Sequence, residues 1–126
     1  MSTAKLFRDG KVAINISRDY GAGWSTWADT PEEREQKLFD TVLAYLLDSI
    51  GDNERTEEDL ANINLHLKRF YPRDYEADDE YAERSAIRQS MQLHVVWLPE
   101  GTAFRVKEYD GFESVELRDN INWTIA

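Results

Sequence analysis

Few groups in this chain could do acid–base chemistry. It has no cysteine, and His66 and His94 are its only histidines. An imidazole works as a general base only when a second group fixes its tautomer and orientation, and no such partner is visible for either. His66 falls on a helix flank and His94 on a strand, in opposite phase to Trp97, so structural roles are favoured for both. The acidic runs Asp52–Asp59 and Asp78-Asp79-Glu80 could attract Ca²⁺ or Mg²⁺, but neither has the alternating oxygen ligands and central glycine of an EF-hand loop. Solvated acidic surface is the expected role of both, and no metal, cofactor or catalytic residue is assigned. The chain reads as non-enzymatic.

Two other constellations could bind. The first is Arg18-Asp19-Tyr20-Gly21-Ala22-Gly23-Trp24, continuing to Trp27. Two glycines after a strand could let backbone N–H groups converge on an anion, with Arg18 beside them. The third glycine and immediate helix of a dinucleotide fingerprint are missing, as is the G-K-[ST] of a P-loop. The competing reading is a tight turn whose glycines let Trp24 and Trp27 fold onto the core.

The second is a pair of carboxylates. Asp110-Gly111 flanked by Thr102–Tyr109 and Phe112–Leu117 is a strong hairpin signal, because that dipeptide tolerates the positive φ of a two-residue turn. In that register Phe104, Val106, Val115 and Leu117 share an apolar face, and Arg105 lies opposite Glu116. Glu108 then faces Glu113 on the otherwise apolar side, an unfavourable like-charge pair. Either both carboxylates extend past the tip into water, which is favoured, or a cation sits between them.

These residues belong to a chain of 126 with 25 acidic and 15 basic side chains, a net charge of −10. The charge is uneven. Asp29–Leu60 carries 11 acids against three bases and Arg73–Arg84 six against two, whereas both ends are near neutral. Phosphate contacts need clustered Lys and Arg, so direct nucleic-acid binding is not expected. With 41% apolar and 12% aromatic residues the chain has ample material for one core, and residues 1–126 read as a single domain. No apolar run approaches the roughly 18 residues of a membrane span. The absence of cysteine suits a reducing compartment, and a cytoplasmic location is expected.

The elements follow from periodicity. Lys11–Ser17 alternates as a strand, with Asp9-Gly10 turning a short hairpin before it. Thr30-Pro31-Glu32-Glu33 starts a helix with a capping box. Phe39, Val42, Leu43, Leu46, Leu47 and Ile50 continue it as one stripe to Gly51, with a break possible where Asp40 could cap a second helix. Thr56-Glu57-Glu58-Asp59 starts another, carried by Leu60, Ile63, Leu67 and Phe70 until Pro72 stops it. Arg73–Glu83 reads as an acidic loop turning helical over Ala82–Ser90, and Leu93–Leu98 as a strand. The expected fold class is α+β: an antiparallel sheet of the N-terminal strand, Leu93–Leu98 and the C-terminal hairpin, covered on one face by the helices Pro31–Ile50 and Glu57–Tyr71.

Several of these stretches carry a resemblance. Val12-Ala13-Ile14-Asn15 leading to Asp19-Tyr20-Gly21-Ala22-Gly23-Trp24-Ser25-Thr26-Trp27, together with Val96-Trp97-Leu98-Pro99-Glu100-Gly101-Thr102 and Glu108-Tyr109-Asp110-Gly111-Phe112-Glu113, resemble a family of small uncharacterised bacteriophage proteins. Those begin with a strand entering a Tyr-Gly-x-Gly-Trp-Ser-Thr-Trp loop and end in a Glu-Tyr-Asp-Gly-x-Glu hairpin. The likeness covers about the first 30 and last 35 residues, not the acidic middle. It implies phage origin and the bacterial host cytoplasm, and it carries over no catalytic residue.

Small accessory phage proteins commonly act by binding. The first functional expectation is therefore an inhibitor or modulator of a host protein with a basic groove, such as a nucleic-acid-binding enzyme or a defence complex, in a host-takeover or anti-defence role that includes nucleic-acid mimicry. Its contact surface would be the acidic segments, with Glu54, Glu57, Glu58, Asp59, Asp74, Glu76, Asp78, Asp79 and Glu80. The alternative is a binder that sequesters a nucleotide immune signal through Arg18, Tyr20, Gly21, Gly23, Trp24, Trp27 and Arg118. A homo-oligomer is compatible with either.

Overall fold

The computed structural model describes residues 4–18, 20, 23–51, 54–72 and 88–118. The alternating segment forms strand β2 (Lys11–Ser17), preceded by the short β1 (Phe7–Arg8). Asp9 and Gly10 between them have φ of 51° and 76°, the left-handed backbone that a two-residue hairpin turn requires. Along its whole length β2 pairs antiparallel with β3 (Leu93–Pro99), from Lys11 opposite Pro99 to Ser17 opposite Leu93, giving the order β1-β2-β3.

Period two sorts this sheet into two apolar faces. Val12, Ile14, Ile16, Val96 and Leu98 point one way, while Leu93 and Val95 point the other, beside Ala13, Asn15 and Trp97. A sheet with two such faces needs two covers.

The helices supply one. They are α1 (Pro31–Phe39), α2 (Thr41–Ile50) and α3 (Glu57–Phe70). Leu43, Leu47, Ile63 and Leu67 pack with Trp24, Tyr71 and Leu93 in one buried cluster. The break at Asp40 is real: its backbone leaves the helical region (φ −51°, ψ 108°), and its carboxylate accepts the Leu43 N–H at 3.0 Å as the cap of α2. The single stripe expected over 31–50 is therefore divided. Phe39 turns to the opposite side of the sheet, and Val42 is exposed.

Thr30 caps α1 through the Glu33 N–H, but the Glu33 carboxylate reaches Lys37 at 3.7 Å instead of closing the expected box. The reciprocal box forms at α3, between Thr56 and Asp59. Phe70, expected in the core, is exposed; Tyr71 just beyond the helix takes the buried place.

The second cover is the C-terminal hairpin, β4 (Phe104–Tyr109) and β5 (Phe112–Leu117). Its register runs from Phe104 opposite Leu117 to Tyr109 opposite Phe112, as the turn predicts, with Asp110 and Gly111 at φ 50° and 91°. It does not extend the main sheet, contrary to expectation; it is a separate two-stranded sheet. Phe104, Val106, Val115 and Leu117 pack on Ile14, Ile16, Phe39 and Leu98. Lying against that face removes apolar area from water, which pairing at the sheet edge would have left exposed. The α+β protein is thus layered as helices, three-stranded sheet and hairpin.

Residues 88–92 are helical, in line with the end of the helix expected over Ala82–Ser90, of which 82–87 lie outside the described residues. Among the described residues, no helix is long and apolar enough to cross a membrane.

Candidate functional site

The glycine loop and the carboxylate pair prove to be two halves of one interaction. Glu113 is fully buried. Its Oε1 accepts the Ser17 N–H at 2.9 Å, and its Oε2 accepts the Trp24 N–H at 2.9 Å, the Thr26 N–H at 3.0 Å and the Thr26 hydroxyl. Three backbone donors and one hydroxyl around an acceptor-only group satisfy it without a counter-cation. The expectation that both carboxylates extend into water holds for Glu108 and fails for Glu113, and among the described residues no cation lies between them. Glu108 stays exposed and accepts the Gly111 N–H at 2.7 Å inside its own turn. Turned inward, Glu113 avoids the like-charge contact and makes use of N–H groups that would otherwise be buried without partners.

This clasp takes the Trp24 N–H, one of the loop donors that could have faced an anion. The remaining residues of that set disperse. Trp24 is in the core, its ring edge-on to Tyr71 and its indole N–H donating to the Lys37 carbonyl at 2.9 Å. Trp27 is half-exposed and lies over Gly23, where a Cβ would come within 2.6 Å of its ring. Close approach, and not an unusual φ, is what that glycine provides. Tyr20 is exposed and stacks on Phe112 with ring centroids 4.9 Å apart. Arg118 sits at the opposite, open end of the hairpin, its N–H bonded to the Ala103 carbonyl. At about 3.3 Å per residue that is roughly 20 Å from Phe112. Arg18 is exposed at the end of β2, and Gly21 lies outside the described residues.

Sequence reasoning missed a polar network under the helices. Asp40 Oδ2 lies 2.7 Å from His66 Nε2 and accepts the Tyr71 hydroxyl at 2.6 Å, while Asn15 donates to the Asp40 carbonyl at 3.1 Å. Burial acts to raise the Asp40 pKa. The bonds from His66, the Leu43 N–H and Tyr71, with the charge of His66, outweigh it and hold the carboxyl below its ordinary value. His66 therefore does have an orienting carboxylate. Its Nε2 is spent on that partner, and Phe70 and Tyr71 lie against its ring. The arrangement braces the α1–α2 break against α3. The legible signal was Asp40 as a cap; that a cap's second oxygen would meet His66 needed the tertiary contact.

Other charges are also paired. Asp48 binds Arg8 and accepts the Trp97 indole N–H; the Arg8 bond outweighs partial burial and, with the Trp97 bond and the arginine's charge, lowers its pKa. Glu116 bridges Lys107 and Arg105 across the hairpin, and those bonds lower its pKa.

Of the expected acidic surface, Glu54, Glu57 and Glu58 are exposed and Asp59 is half-buried in the α3 cap. Asp74, Glu76, Asp78, Asp79 and Glu80 lie outside the described residues. A further cleft, about 410 Å³, is lined by Asp29, Glu32 and Glu33 together with Phe70, Tyr71 and Pro72. Among the described residues, no three His, Asp or Glu side chains converge as a metal site. No protein-family model matches the chain, and no match was found among curated proteins or solved structures.

Proposed function

We propose that the chain is a non-enzymatic accessory protein of bacteriophage type, which acts in the host cytoplasm by binding a host protein through a basic groove and blocking or modulating it. The observation that carries this reading is the cleft in which Asp29, Glu32 and Glu33 stand beside the rings of Phe70 and Tyr71. A partner's guanidinium inserted there would meet these three carboxylates for charge-assisted hydrogen bonds and the exposed Phe70 ring for cation–π contact. Lys37 offsets only part of this charge, through Glu33. Glu54, Glu57 and Glu58 add further exposed acids.

The interior acids, in contrast, are held by Arg8, His66 or backbone donors. The exposed Asp29 and Glu32 carboxylates are therefore available to a partner. The nucleotide-sequestering alternative keeps fewer donors, because the Trp24 N–H it would use already holds Glu113.

Affinity capture from a bacterial lysate at low salt, followed by a salt gradient, tests the proposal. A basic partner should elute as ionic strength rises. The triple variant Asp29→Asn, Glu32→Gln, Glu33→Gln should fail to retain it. Retention indifferent both to salt and to these three substitutions would sink the reading.

A further inference from the structure

A second cleft has the opposite character. It encloses about 340 Å³ between the start of α3, the end of α2 and the beginning of β3, and its lining includes Arg18, Arg55, Glu54, Leu60, Met91 and His94. Among the described residues its lining holds two guanidinium groups against one carboxylate, in a chain of net charge −10.

Arg55 is the unusual member. It is half-buried, and its guanidinium donates to the carbonyls of Ser90 and Leu93, both neutral acceptors. Arg8, by comparison, is paired with a carboxylate. Burial lowers the Arg55 pKa, against the charge of Asp59, which marks a desolvated cation whose hydrogen-bond partners bring no opposite charge. Two carbonyls use two of the five guanidinium N–H donors, and the rest remain for a ligand. Arg18 is exposed and, among the described residues, has no ion-pair partner; its position is fixed by the bond from its N–H to the Gln92 carbonyl. The lining also holds the apolar side chain of Leu60 and the exposed Met91, which suits contact with a flat ring.

We propose that this cleft binds a small organic phosphate monoester, its oxyanion held between Arg18 and Arg55 and its organic part against Leu60 and Met91. The planar fork of arginine matches phosphate oxygens, and the chain's overall negative field is screened beyond about 8 Å at physiological salt. The site is separate from the acidic surface and independent of the function proposed for it.

The test is titration of the full chain with AMP, inorganic phosphate and adenosine, followed by calorimetry and thermal shift. AMP should raise the melting temperature and bind at least about tenfold more tightly than inorganic phosphate, with adenosine inactive. Arg18→Ala should weaken AMP binding at least about tenfold without altering the free protein's melting temperature, since losing a hydrogen bond to a charged group has that weight. Glu54→Gln should tighten it by about threefold. Arg55→Lys should weaken it, but Arg55 also ties down Ser90 and Leu93, so Arg18→Ala is the decisive variant. Absence of an AMP shift, AMP affinity unchanged by Arg18→Ala, or adenosine binding as tightly as AMP would each overturn the proposal.

Discussion

Replacing Glu113 by glutamine changes one oxygen into an NH₂ group and removes a charge, with almost no change in shape. In the protein one carboxylate oxygen receives three donors and the other receives the Ser17 N–H. The better orientation of the amide keeps its oxygen toward Trp24 and Thr26 and turns its NH₂ toward the Ser17 N–H, donor against donor. One charge-assisted bond is lost, at about 1.5–3 kcal/mol, and a buried donor is stranded at about 1–3 kcal/mol. These overlap, so Glu113→Gln should destabilise by about 2–4 kcal/mol. At about 3–5 °C per kcal/mol for a domain of this size, the melting temperature should fall by about 10 °C. Urea unfolding followed by tryptophan fluorescence reads this directly, because Trp24 is in the core. The midpoint should move with the m-value unchanged. Glu108→Gln, at the position directly opposite, is the control and should stay within about 0.5 kcal/mol. A Glu113→Gln variant as stable as the wild type, or a Glu108→Gln variant equally damaged, would refute the clasp.

Asp40→Ala removes a helix cap and leaves the Tyr71 hydroxyl and His66 without their carboxylate, so a loss of about 2–4 kcal/mol is expected in urea unfolding at pH 7. Because the folded-state pKa of Asp40 lies below its ordinary 3.8, its stabilisation is complete above that value and is lost as pH falls through the folded pKa. The stability gap between wild type and Asp40→Asn should accordingly close below pH 3.8. Gly23→Ala brings a methyl group against the Trp27 ring and should cost about 1–3 kcal/mol; Trp27→Ala should rescue most of it in a double-mutant cycle. Gly111→Ala forces a Cβ into left-handed backbone at φ 91° and should lower the melting temperature by an amount equivalent to about 1 kcal/mol.

Local chemistry made the elements readable. Alternation in β2, the Asp-Gly turns, the Thr caps and the hairpin register all depend on residues a few positions apart, and each is found where the sequence puts it. The placement of the hairpin was not readable, since the same apolar face serves a sheet edge or a second layer and only the two-sided hydrophobicity of β2 and β3 decides between them. The site shows the same limit. A loop with converging N–H groups and a carboxylate in the phase of the core are each visible in the sequence, about 90 residues apart. What joins them is a tertiary contact, so the expectations for the loop were an external anion or a tight turn, and for the carboxylate water or a cation. Phe70 and Tyr71 exchanged roles because helical phase no longer governs the residue after the last turn.

The Glu113 clasp also has a direction in time. Its donors at Ser17, Trp24 and Thr26 are made well before its acceptor, which lies 87 to 96 positions later. A nascent chain emerging N-terminus first must hold that loop open, its amides bonded to water, until Glu113 has been synthesised. β2 waits in the same way for β3. The clasp can therefore close only after Glu113 has left the ribosome, and a ribosome-bound chain halted before residue 113 should display helices without the ordered aromatic loop.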